Sequence, residues 1–314
     1  MTFQGGDFEG GRVQRGGSGG GGRRGVAVGG GVVGLVVVAL VVLLQGGNLG
    51  DVLNAIGGDG SGPATGQVEP SAVGALGDCT VQQANTQRDC RLAATAYALD
   101  AYWQPVVEQQ GVTFSLPGIV TFEGQTQTGC GQATTEVGPF YCPPDQTIYI
   151  DLGFYDAMFA QLGAADGPLA EEYVTAHEYG HHIQNLLGIF DQHERSGTGA
   201  DSDSVRTELQ ADCFAGVWAG NAATTQRPDA GTSNSSNSST GTPFLQPITD
   251  EQLANALAAA SAVGDDRIQQ SATGSIDPET WTHGSSAERQ KWFTTGYRSK
   301  TLTACDTFSA TDLG

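Results

Sequence analysis

The twelve residues VTAHEYGHHIQN, positions 174–185, constrain this chain more than any other stretch. They place three of its five histidines beside one glutamate within six consecutive positions. The segment that carries them begins at Pro168, a residue suited to a first helical turn. Leu169, Tyr173, Ala176, Gly180, Ile183 and Leu187 then recur at 4-3-4-3-4 spacing, the signature of one buried helical stripe. On such a helix His177 and His181 share a face and both imidazoles reach one metal ion. Glu178 is rotated about 100° from His177 and projects beside the pair. H-E-x-x-H in a helical setting supplies two zinc ligands and a carboxylate able to take a proton from an activated water. His182 points about 100° away from His181 and reads as a supporting or surface residue, not a ligand.

A catalytic zinc needs a third protein ligand and an open position. The H-x-x-G-x-x-H continuation is excluded, because Gln184 and Leu187 stand where Gly and His are required. The next candidate segment, SVRTELQADCFAGVWAG, carries Glu208 and Asp212 four residues apart on another predicted helix. Glu208 is the expected third ligand, a gluzincin-like arrangement. Asp212 is expected to accept a hydrogen bond from the far nitrogen of a ligand histidine and so fix its tautomer. His193, Asp201 and Asp203 are the alternatives for the third ligand. His283, ahead of a predicted helix start, is a candidate for stabilising a developing oxyanion, set against a loop histidine that only packs or caps.

The first 45 residues carry a different signal. Val26 to Leu44 are apolar or Gly without a charge, about 28 Å of helix, close to a bilayer core of about 30 Å. Arg12, Arg15, Arg23 and Arg24 precede the run and the next basic residue is Arg88, so the positive-inside rule predicts a cytoplasmic N-terminus. The expectation is a Gly/Arg-rich cytoplasmic tail at 1–24, a transmembrane signal anchor at 25–45 and a flexible linker at 46–74. An extracytoplasmic zinc metallopeptidase domain then fills 75–314, with a low-complexity loop at 227–244. The alternative is a cleaved signal peptide, whose apolar core is usually shorter and ends in a small-residue site. Six cysteines suit an oxidising compartment. Short spacings suggest Cys79–Cys90 and Cys130–Cys142, which leaves Cys213–Cys305. The net charge of −20 argues against a nucleic-acid partner.

Within the domain, helices are expected over 87–110 with a break at Pro105, and at about 153–163, 168–188, 203–222, 249–264 and 285–299. Thr249 with Gln252 and Ser285 with Glu288 have capping-box spacing. GIVTFEG and QTIYIDLGF read as short strands, and the strand TIYID, 147–151, as a sheet edge for an extended peptide.

GCGQATTEVGPFYCPPDQTIYIDLGF, TAHEYGHHIQN, ELQADCFAGVWAG and THGSSAERQKWFTTGY together resemble the bacterial putative neutral zinc metallopeptidase family, from about Ala75 to the C-terminus. A single N-terminal span after a Gly-rich tail is also similar to family members. The resemblance implies His177 and His181 as zinc ligands, Glu178 as catalytic, and a role for the Glu208/Asp212 segment. The combined expectation is an α+β fold: a mainly helical zincin-like domain with a small β-sheet, preceded by one transmembrane helix. It would hold one zinc per chain and hydrolyse a peptide or protein substrate. The rival readings are a non-catalytic, metal-stabilised envelope domain that holds a partner, and a zinc amidase acting on a cell-wall component.

Overall fold

The computed structural model describes residues 1–8, 10–16, 72–161, 167–193, 195–227 and 243–314. The expected span at 25–45, the linker up to residue 71 and most of the 227–244 loop lie outside the described residues. The strands are β1 (Val13–Gly16), β2 (Ala72–Ala75), β3 (Gly118–Phe122), β4 (Gln125–Thr128), β5 (Gly131–Thr134), β6 (Phe140–Cys142) and β7 (Thr147–Asp151). The α-helices are α1 (Val81–Thr86), α2 (Arg88–Gln109), α3 (Gly153–Gln161), α4 (Pro168–Leu186), α5 (Asp203–Asn221), α6 (Asp250–Ala262), α7 (Asp265–Thr273) and α8 (Ser286–Ser299).

Among the described residues, five strands form one sheet in the order β2-β1-β3-β7-β6, and β4 with β5 forms a separate hairpin. β1–β3 and β3–β7 pair in parallel, while β1–β2 and β6–β7 pair antiparallel. The fold is therefore mixed α/β with a partly parallel sheet. β7 lies between β3 and β6, so both its edges are hydrogen-bonded and it cannot add an extended peptide. Among the described residues, the edge expected of TIYID belongs to β6 on one side and β2 on the other.

The membrane-anchored architecture is corrected. Among the described residues, no helix is long and apolar enough to cross a membrane. Gly16 and Ala72, which stand on either side of the expected anchor, are antiparallel partners in one sheet. Residues read from the sequence as a cytoplasmic tail belong to the core: Phe3, Phe8 and Val13 are buried, and Phe3 and Phe8 meet edge to face. Arg12 and Arg15, counted as flanking charges, pair with Asp100 and Asp89 on α2.

Local chemistry accounts for three of the helix starts. Thr80, Thr249 and Ser285 each close a capping box with Gln83, Gln252 and Glu288. α2 runs through Pro105 to Gln109 instead of ending there. Trp103 and Val107 are fully buried on either side of the proline, and that burial outweighs the hydrogen bond the ring removes. α7, short and polar, was not expected from periodicity.

α4 packs against α2, α5 and α6, and β6 lies along it. Two close approaches set the helix geometry. A Cβ at Gly180 would stand 3.0 Å from the Ala211 carbonyl oxygen on α5. A Cβ at Gly296 would stand 2.0 Å from the Cys213 carbonyl oxygen, and one at Gly216 would stand 2.0 Å from that of Phe293. α5 thus lies backbone to backbone with α8 and nearly so with α4. All six cysteines pair as their spacing suggested, Cys79–Cys90, Cys130–Cys142 and Cys213–Cys305, and the last ties α5 to the C-terminal segment.

Candidate metal centre

α4 and α5 cross where Gly180 meets Ala211, and the crossing brings His177 and His181 to Glu208. One ligand atom from each lies within 4.8 Å of the others. His177 Nε2 is 3.0 Å from Glu208 Oε2, and His181 Nε2 is 3.4 Å from Oε1. Two imidazole nitrogens and a carboxylate converging from two helices are a donor set that suits zinc, with three protein ligands leaving one position open. Of the alternatives for the third ligand, His193 and Asp203 approach each other at 3.3 Å, and His193 stacks on Phe308.

Each imidazole is held through its other nitrogen. His177 Nδ1 donates to Asp212 Oδ1 at 2.8 Å, the contact expected of Asp212. His181 Nδ1 donates to Gln184 Oε1 at 2.8 Å, and Gln184 Nε2 donates to the Thr207 carbonyl and to Gln210 Oε1. These contacts put the proton on Nδ1 and leave Nε2 free to bind a metal. With only protein charges around it, His177 is raised to about 10. Burial opposes that shift, and Asp212 and then Glu208 overcome it. Burial would raise Glu208 too, but His181 and His177 hold it well below the carboxylate range.

Glu178 is 7% exposed. Burial pushes its carboxyl above the ordinary value, and His177 and His181 only partly offset that. A carboxylate whose affinity for a proton is raised this way is better matched to proton transfer near neutrality. His182 turns from the centre. Its Nε2 donates to the Ser115 carbonyl at 2.7 Å and its Nδ1 accepts from the Tyr141 hydroxyl at 3.1 Å. Burial lowers it to about 4, so it is a neutral tie between α4 and β6.

His283 is partly exposed and belongs to the loop before α8. Asp265 organises that loop: its Oδ2 accepts from the backbone N–H groups of Thr282, His283 and Gly284 at 2.8, 2.7 and 3.0 Å. Its Oδ1 lies 3.2 Å from His283 Nδ1. Burial would lower His283, yet Asp265, with a smaller contribution from Glu208, raises it. A shallow, open surface depression is lined by Phe190, Asp191, Gln192, His193, Arg195 and Ser196 and by none of the residues of the centre. The Phe190 ring is 6.4 Å from that of His181.

Sequence reasoning missed Arg289, Tyr173 as a polar group, Gln184 and Asp265. Arg289 carried a signal: Arg289, Trp292, Phe293 and Gly296 are the buried residues of α8. A charge at the first position of an i, i+3, i+4, i+7 stripe needs a buried partner. That partner is Asp212, bound through both oxygens at 2.7 and 3.1 Å.

The model of the putative neutral zinc metallopeptidase family matches residues 3–308. The chain belongs to this family. An uncharacterized protein of Mycobacterium tuberculosis is 51% identical over 240 residues, 76% of this chain and 77% of that one. The uncharacterized protein YpfJ of Escherichia coli is 43% identical over 211 residues, 66% of each chain. No solved structure matches. Because the family match begins at residue 3, it takes in the N-terminal segment that the fold buries.

Proposed function

We propose that this member of the zinc metallopeptidase family hydrolyses peptide bonds at a single zinc site held by His177, His181 and Glu208. The observation that carries the reading is the convergence of those three side chains within 4.8 Å, with the buried carboxyl of Glu178 on the next residue of the same helix. Zinc, when bound, supplies Lewis acidity, polarising the scissile carbonyl and making a water acidic enough to lose a proton near neutrality. Glu178 accepts that proton and returns it to the leaving amine nitrogen. His283, held by Asp265 and biased toward its charged form, offers a positive group for the oxygen that gains charge. Three disulfides support work in an oxidising, extracytoplasmic compartment.

The test is zinc content together with turnover of a mixed peptide library by the full chain and by Glu178→Gln. Wild type is expected to hold one zinc and cleave. Glu178→Gln should keep the zinc and lose about 10²–10⁴-fold in rate. A glutamine variant as active as wild type would remove Glu178 from the chemistry. Zinc bound by a chain that cleaves nothing would favour a metal-stabilised binding domain.

A further inference from the structure

We infer that Arg289 is a positioning residue for the metal centre: its guanidinium locks the Asp212 carboxylate in the one orientation that aims His177 at Glu208. The inference rests on the zinc-site reading above. Arg289 and Asp212 have side chains 4% and 0% exposed, so water does not orient either of them. Arg289 Nε donates to Asp212 Oδ2 at 2.7 Å and Nη2 donates to Oδ1 at 3.1 Å. Nη2 also donates to the Tyr173 hydroxyl at 3.2 Å, and Nη1 donates to the Val263 carbonyl at 3.1 Å. Tyr173 in turn donates to Asp212 Oδ1, the same oxygen that accepts from His177 Nδ1.

Three donors on one carboxylate oxygen, with the other oxygen held by the guanidinium, leave Asp212 no second rotamer that keeps its bonds. The His177 ring is therefore fixed through a chain that begins on a third helix. A lysine would supply the charge but not the planar fork that holds both oxygens while reaching Tyr173 and Val263. The helix contacts carry the same message. α8 is in backbone contact with α5 through Gly296 and Gly216, so the helix bearing Arg289 keeps its register with the helix bearing Glu208 and Asp212. A buried arginine needed only to neutralise Asp212 would not require that register.

The experiment measures zinc affinity of the full chain by competition with a chromophoric chelator, alongside thermal melting of the metal-free protein. Wild type is compared with Arg289→Lys, and with Arg289→Ala with and without added methylguanidinium. The lysine variant is expected to melt close to wild type yet hold zinc about tenfold more weakly. Methylguanidinium should recover most of the affinity lost by the alanine variant. A folded lysine variant with wild-type affinity overturns the inference and leaves the zinc-site reading intact. If the single variants do not fold, Arg289→Gln combined with Asp212→Asn removes both buried charges. That pair should also lose about tenfold or more in affinity, and wild-type affinity there would overturn the inference. A wild-type chain that takes up no zinc overturns the parent reading instead, and this one with it.

Discussion

At the scale of single residues, the site depends on carboxylates whose surroundings move them in opposite directions. Glu178 is raised by burial. Asp265 is lowered even though burial opposes it, because His283 and three backbone N–H groups favour its charge. A depressed carboxyl contributes stability above its unfolded value, near 3.9, and loses it as pH falls through the folded value. His283 has the opposite sign: its raised folded value contributes stability below about 6.5, lost as pH rises through that folded value. The Asp265–His283 pair should therefore stabilise the loop most between those limits. Replacing Asp265 with Asn is expected to cost about 3 kcal/mol and to flatten both limbs of the urea midpoint plotted against pH. An unchanged profile would show that the loop is held by something else. These pairings were partly readable. His177, Glu178 and His181 follow from spacing alone, and Glu208 with Asp212 from a four-residue interval. Asp265 gave no sign, because the helix it opens, α7, was itself not expected.

At the scale of elements, the candidate metal centre is a product of how closely α4 and α5 approach. Gly180 lies on the buried stripe of α4 against Ala211, the residue before Asp212 and three beyond Glu208. In Gly180→Ala the added methyl meets backbone atoms at 3.0 and 3.1 Å, so the helices must separate by a few tenths of an ångström. The variant should fold with a modest loss, about 1–2 kcal/mol, but bind zinc measurably more weakly, read by the same chelator competition. Gly296→Ala is the harsher change, because its methyl would stand 2.0 Å from the Cys213 carbonyl oxygen. We expect it to cost about 3 kcal/mol or more in urea unfolding, and a wild-type midpoint would mean that α5 and α8 can slide. Helix existence was legible from period and caps, since both expected capping boxes formed. The continuation of α2 past Pro105 was not, because it depends on burying Val107 against elements distant in sequence.

At the scale of the whole molecule, the chain is closed by its two ends. The N-terminal residues supply Phe3, Phe8 and Val13 to the main core, and Cys305 anchors the last segment to α5. Phe8→Ala should destabilise by about 3–5 kcal/mol, whereas a residue of a free tail would change nothing in a thermal melt. The Cys213–Cys305 bridge spans 92 residues, and on loop-entropy grounds it is worth about 4–5 kcal/mol. Cys213→Ala with Cys305→Ala should lower the urea midpoint correspondingly, with little change for wild type under non-reducing conditions. Equal midpoints for the two proteins would place that constraint elsewhere.

The sequence by itself determined which side chains could form the candidate centre. Ligand spacing on a helix is a local property, fixed by a repeat of 3.6 residues, and cysteine spacing limited the bridges. Tertiary structure alone decided which strand is an edge, that Met1, Phe3, Phe8 and Val13 belong to the core, and that Arg289 reaches Asp212 across 77 positions. Strand order and the pairing of Gly16 with Ala72 are contacts between residues far apart in the chain. Hydrophobic pattern reports that a residue is buried, but not what it is buried against.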